Sequence, residues 1–158
     1  MIPAAPASPY KIKIKTYQIT VNEPPPLAGA VQYPRIAAPF LSAVINEADA
    51  GREHFAVMFL DNKGRNIACK ILFSGDRSTA LVFPSEVCRA ALLLGAGAVI
   101  IAHNHPGGDL TPSREDIELT IKLEGCLKML DIKLLDHLII SGDRWQALNS
   151  SAGWAVSK

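Results

Sequence analysis

Five apolar residues in succession, Ala98-Val-Ile-Ile-Ala102, run straight into His103-Asn-His105 and then into Pro106-Gly-Gly108. A strand with no polar position has no face to give to water, so it belongs in a sheet covered on both sides. That requirement excludes a one-sided antiparallel sheet and points to an α/β fold. Residues two apart on a strand project to the same side, so His103 and His105, at its carboxyl end, can reach one point.

The flanking patterns agree. Phe55–Leu60 reads as an apolar strand, Asp61-Asn-Lys-Gly64 as a turn, and Asn66–Phe73 as the return strand of a hairpin. A short strand is expected at Ala80–Phe83, then a helix opening at Pro84 and ending at Gly95. After the Gly/Pro loop a helix is expected from about Pro112 to Leu130, with Gly125 inside it. Lys133–Ile140 and Trp145–Leu148 read as strands around a turn at Ser141-Gly-Asp-Arg144. Upstream, Ile36 to Ala50 has helical spacing, with Leu41, Val44, Ile45 and Ala48 on one stripe. This alternation predicts a three-layer α/β/α domain with a mixed central sheet.

Eight of the 11 prolines lie in the first 39 residues. Residues 1–39 are therefore expected to form a Pro-rich N-terminal arm and residues 40–158 the domain that carries the site. Within the arm, Lys11-Ile-Lys-Ile-Lys15 alternates as an edge strand continuing through Val21, and Pro24-Pro-Pro26 marks a linker. The start has no basic region followed by an apolar core, so no secretory signal is expected, and no apolar run has the length of a membrane span. The three cysteines, Cys69, Cys88 and Cys126, contain no C-x-x-C pair. They read as reduced, mostly buried thiols of a cytoplasmic protein, with Cys69 and Cys88 in the core. A net charge of +1, from 16 Lys plus Arg against 15 Asp plus Glu, argues against a protein whose main task is neutralising phosphates.

The chemistry concentrates in Ala102-His-Asn-His-Pro-Gly-Gly-Asp-Leu-Thr-Pro-Ser-Arg-Glu-Asp116. Two imidazoles and a carboxylate suit Zn²⁺ and leave a fourth position for water. The site would lie at the carboxyl end of a strand beside a helix N-terminus, where open α/β sheets bind ligands. Ser113 and Asp116 also read as an N-terminal cap with its reciprocal acceptor, and Thr111 with Pro112 competes for that cap. Capping and catalysis are compatible. The literal string His-Asn-His carries little weight as a nuclease signature, because that name describes residues dispersed over a ββα unit.

The spacing His103-x-His105, seven residues, Ser113, two residues, Asp116 resembles the JAMM (JAB/MPN-type) metallopeptidase pattern. From about residue 47 to 153 the chain is more closely similar to the RadC-like JAB domain, through Phe59-Leu-Asp-Asn62, His103-Asn-His-Pro106, Gly108-Asp109, Thr111-Pro-Ser-Arg-Glu-Asp116 and Leu135-Asp-His-Leu-Ile-Ile140. The resemblance implies a JAB/MPN, cytidine-deaminase-like fold and zinc held by His103, His105 and Asp116. It also implies an upstream glutamate acting through the metal's water, which points to Glu53, with Glu47 competing. Ser113 would hydrogen-bond the developing oxyanion. His54 is not expected as a ligand, since adjacent strand residues face opposite ways, and His137 is read as structural, hydrogen-bonded at the sheet. The chain departs from most relatives at Gly107, where they carry serine, and at Ser85, where many carry arginine. The helix-hairpin-helix region of longer RadC proteins is missing.

A zinc-dependent metallopeptidase or isopeptidase in the cytoplasm is the expectation that follows, with an unknown peptide or isopeptide substrate. Two alternatives stay open: a DNA-repair-associated accessory protein or zinc-dependent nuclease, and a non-catalytic zinc-binding interaction module. Nucleic acid is a less favoured partner, and no membrane partner is expected.

Overall fold

The structure, a computed structural model, describes residues 29–148 without 32, 50 and 76–81. Its elements follow in the order α1 (Pro34–Asn46), β1 (Glu53–Leu60), β2 (Asn66–Gly75), α2 (Pro84–Leu94), β3 (Ala98–Asn104), α3 (Arg114–Lys128), β4 (Lys133–Ser141) and β5 (Arg144–Ala147). The five strands form one mixed sheet in the order β2-β1-β3-β4-β5. Only β3 and β4 run parallel, joined by the crossover through α3. The wholly apolar strand, β3, lies at the centre, and all its residues are buried.

Pleat parity explains the three layers. Ala56, Met58 and Leu60 of β1 pack with Ala37, Ala38, Leu41 and Ile45 of α1. Phe55, Val57 and Phe59 of the same strand pack with Val87 and Ala91 of α2 and Leu123 and Leu127 of α3. Both faces are covered, as the absence of polar positions in β3 requires. The parity of β3 puts Val99 and Ile101 on the α2/α3 face, and His103, two residues on, shares that face.

Several expected boundaries move. Helix α1 starts at Pro34, so the expected division at residue 39/40 falls within it, and Pro39 lies inside the helix. The same helix stops at Asn46 and not at Ala50. The last helix is shorter than Pro112–Leu130, because Ser113 is extended and caps it, so the first helical residue is Arg114. The strand expected at Ala80–Phe83 falls partly on undescribed residues; Val82 and Phe83 are not in a strand, because Phe83 is already the extended N-cap of α2. The strand expected at 11–21 and the Pro24–Pro26 linker lie outside the described residues. Cys69 is buried as expected, whereas Cys88, read as core, is only half-buried on α2.

Candidate metal centre

Strand β3 runs two residues beyond its apolar stretch, and after it the backbone N–H of His105 still bonds the carbonyl of Ile140 at 2.9 Å. This keeps His105 in register behind His103, and both rings turn toward the first turn of α3. The loop then reverses at Pro106-Gly107, with the N–H of Gly108 on the carbonyl of His105 at 3.0 Å. Gly108 has φ +88°, a conformation suited to glycine. Arg144 donates to its carbonyl at 2.8 Å, which ties the loop to the β4–β5 hairpin. The chain enters α3 through a reciprocal cap: the Ser113 hydroxyl oxygen accepts from the Asp116 N–H at 3.1 Å, and the Asp116 carboxylate accepts from the Ser113 N–H at 2.8 Å. The cap thus delivers Asp116 to the two histidines.

His103, His105 and Asp116 form the one group among the described residues whose side chains can jointly hold a metal ion. His103 Nε2 is 2.9 Å from His105 Nε2 and 3.1 Å from Asp116 Oδ1, and His105 Nε2 is 3.6 Å from Asp116 Oδ2. A tetrahedral ion with metal–ligand bonds of about 2.0–2.1 Å separates its ligands by about 3.3 Å, which the observed edges straddle.

The second ring nitrogens show why these three fit a cation. His105 Nδ1 lies 2.6 Å from the carbonyl oxygen of Asp109. A carbonyl only accepts, so Nδ1 carries the hydrogen and the Nε2 lone pair faces the triad. His103 Nδ1 is bonded to His137 Nε2 at 2.7 Å, on the side away from the triad. Two bare nitrogen lone pairs 2.9 Å apart repel, so the cluster needs positive charge, either a proton or a metal. The electrostatics point the same way. His105 is shifted toward its protonated form, chiefly by its hydrogen bond to Asp116 and against the effect of burial. Burial pushes the Asp116 carboxyl up, but the bonds from His103 and His105, the charge of His103 and the Ser113 hydroxyl outweigh it and hold it well below the usual carboxylate range. Burial keeps His137 neutral, well below the ordinary imidazole range, with the charge of His103 adding to that effect.

The triad opens into a cleft of about 480 Å³ whose walls include Glu53, Phe55, Val82, Glu115 and Leu119. Glu53, the first residue of β1, faces this cleft. Glu47 does not: it is exposed at the C-cap of α1 and absent from the cleft lining. Ser113 borders the cleft, but its one hydroxyl hydrogen goes to Asp116 Oδ2 at 2.6 Å. His54 lines the cleft wall without offering it a free nitrogen. Its Nε2 donates to the Asp49 carbonyl at 2.8 Å, and its Nδ1 meets the Ser74 hydroxyl at 2.8 Å.

Two residues that matter here were not singled out from the sequence. Asn104, between the histidines, turns its buried amide toward β1. Thr120 sits one helical turn after Asp116, and its hydroxyl reaches both the Asp116 carbonyl and His137. The signal for Thr120 is its i+4 spacing from Asp116; for Asn104 it is strand parity opposite to its neighbours.

Compared with known proteins, residues 31–154 match the family model of the RadC-like JAB domain. A UPF0758 protein of Stenotrophomonas maltophilia is 50% identical over 93 residues, which cover 59% of this chain and 40% of that relative. A UPF0758 protein of Pseudomonas putida is 36% identical over 128 residues, 81% of this chain and 55% of its own length. One from Staphylococcus haemolyticus is 41% identical over 100 residues, covering 63% and 44%. The chain spans about half the length of the curated relatives it matches.

Proposed function

The chain belongs to the RadC-like JAB domain family, and from that premise we propose that it is a zinc-dependent hydrolase of amide or isopeptide bonds. The observation that carries this reading is the convergence of His103 Nε2 and His105 Nε2 on the Asp116 carboxylate inside a cleft that Glu53 borders. When bound, zinc would act as a Lewis acid and lower the pKa of a water from 15.7 to about 7. His103 Nε2, His105 Nε2 and an Asp116 carboxylate oxygen would hold it. The Glu53 carboxylate would take a proton from the attacking water and return it to the leaving amine nitrogen. Ser113 can serve the developing oxyanion only by turning its hydroxyl hydrogen away from Asp116 Oδ2.

The cleft also bears on the substrate. Its lining carries Glu53, Glu115 and Asp116, and no lysine or arginine among the described residues. Such a wall repels a phosphodiester backbone and accepts a neutral or amine-bearing peptide, with Phe55, Val82 and Leu119 as apolar contacts. The net charge of +1 supports the same preference. Three free cysteines fit a reducing compartment, which supports a cytoplasmic location. Among the described residues no helix is long and apolar enough to cross a membrane.

The test combines metal analysis of the purified 158-residue chain with turnover of a panel of peptide and isopeptide-linked substrates. The wild type is expected to carry zinc, and Asp116→Ala to lose it. Glu53→Gln is expected to keep zinc and lose turnover. Zinc binding with no effect of Glu53→Gln on any measured property would instead favour a non-catalytic module, and a steep salt-dependent affinity for DNA would favour the repair-accessory reading.

A further inference from the structure

Behind the triad, away from the cleft, lies a second set of polar contacts built around buried side chains. His103 Nδ1 meets His137 Nε2 at 2.7 Å, His137 Nδ1 meets the Thr120 hydroxyl at 2.6 Å, and that hydroxyl donates to the backbone carbonyl of Asp116 at 2.5 Å. His137 is 0% and Thr120 1% exposed, so water cannot substitute for either partner. Phe55 closes the remaining side of His137, ring to ring at 5.9 Å. The chain begins on one triad residue and ends on another. With His103 Nε2 only 3.1 Å from Asp116 Oδ1 it forms a closed ring.

Proton counting gives this ring a direction. The Asp116 carbonyl only accepts, so the Thr120 hydroxyl spends its one hydrogen there and presents a lone pair to His137. His137 Nδ1 must then carry the hydrogen, which leaves Nε2 as an acceptor. His103 Nδ1 therefore donates to it, and in the neutral ring the lone pair is on Nε2, the nitrogen that faces His105 and Asp116. The opposite assignment would leave two acceptor oxygens, of Thr120 and Asp116, 2.5 Å apart. Only a His103 protonated at Nδ1 satisfies the contact with His137, and the cation that the triad requires is then met at Nε2.

We propose that His137 and Thr120 are positioning residues that hold His103 in its Nδ1–H tautomer and so present Nε2 to the metal. This rests on the reading of the triad as a zinc site. Their origin in the fold supports the role. His137 lies on β4 and pairs with Ile101 across the one parallel strand pair, and Thr120 is one turn beyond Asp116 on α3. The β3-α3-β4 crossover thus builds both the ligands and the device that orients one of them. A partner of this kind, when removed, typically costs 10–100-fold in metal affinity.

The test uses the full chain. Long-range ¹H–¹⁵N spectra of the histidine rings in metal-free wild type are expected to show His103 protonated at Nδ1, a reading that needs neither metal nor variant. Zn²⁺ titration against a competing chelator is expected to show Thr120→Ser within about threefold of wild type and Thr120→Val and His137→Phe weaker by about 10–100-fold. Thr120→Val is near-isosteric and guards against a His137→Phe variant that fails to fold. An Nε2–H tautomer of His103 in the metal-free wild type overturns the proposal, as does undiminished zinc affinity in a folded Thr120→Val. Absence of zinc binding by the wild type would instead overturn the metal reading on which it rests, while the tautomer spectrum would still report on the relay.

Discussion

The side-chain carbonyl of Asn104 accepts the backbone N–H of His54 at 2.7 Å. Its amide donates to the carbonyl of Arg52 at 2.9 Å. Regular pairing of β1 with β3 ends at Phe55 opposite His103. The Asn104 side chain takes over where the ladder stops and grips the backbone on both sides of Glu53. The residue between the two triad histidines therefore sets the position of the proposed base.

Replacing Asn104 by Ala leaves the buried N–H of His54 without a partner, a loss of about 1–3 kcal/mol. Denaturant unfolding is expected to show that loss, and amide exchange at His54 is expected to rise. Zinc affinity should stay within about threefold of wild type, since none of the three proposed ligands contacts the Asn104 amide. A parallel fall in zinc affinity would show that Asn104 supports the histidines and not the strand end.

Ser113 caps α3 and, in the proposed hydrolase, would also serve as an oxyanion donor, two roles that one variant can separate by magnitude. As the N-cap of α3, its loss in Ser113→Ala costs about 1 kcal/mol of stability. As the proposed oxyanion donor, its loss would cost about 3 kcal/mol of barrier, roughly a hundredfold in turnover. Thermal unfolding and kcat on a cleaved substrate, measured on the same sample, are expected to differ in this way. A loss of stability with kcat unchanged would leave Ser113 as a cap alone.

Burial pushes the Cys69 thiol up to about 12 from an ordinary value of 9.0. In the unfolded chain the thiol ionises near 9, while in the folded protein it stays neutral to about 12. Its contribution is thus fully present below pH 9 and is lost as pH rises through that window, at about 1.4 kcal/mol per pH unit. Wild type is expected to lose stability more steeply than Cys69→Ala between pH 9 and 11, read by urea midpoints. Equal slopes would show that the thiol is solvated.

Glycines at three positions should respond in opposite directions. A Cβ at Gly125, exposed on α3, would meet nothing within 4 Å, so Gly125→Ala should stabilise by up to about 1 kcal/mol, a rise in Tm of about 2–4 °C. Gly107 is equally open, and Gly107→Ser should add about 0.4–1 kcal/mol by restricting the unfolded chain. Gly108→Ala should destabilise, because φ +88° strains any L side chain. Differential scanning calorimetry of the three variants decides each sign.

What was legible in the sequence follows from short-range physics. The apolar run of β3 demanded a doubly covered sheet, and its period of two brought His103 and His105 to one side. The Ser113–Asp116 spacing set a helix start, although the first helical residue moved from Pro112 to Arg114 once the cap geometry was visible. Gly95 ended α2 in the left-handed conformation, as its position after Leu94 required.

Tertiary structure decided the rest, because it depends on which distant residues share a register. Glu53 and Glu47 are equivalent carboxylates in the sequence; only the antiparallel pairing of β1 with β3 turns one into the cleft and leaves the other at a helix end. His137 looked like a sheet histidine, but the parallel register of β3 with β4, across 34 positions of chain, makes its partner the ring of His103. Asn104 looked like filler between ligands until strand parity sent its amide to the other side. Periodicity specifies which face a residue takes, whereas a contact between strands is set by how the whole sheet closes.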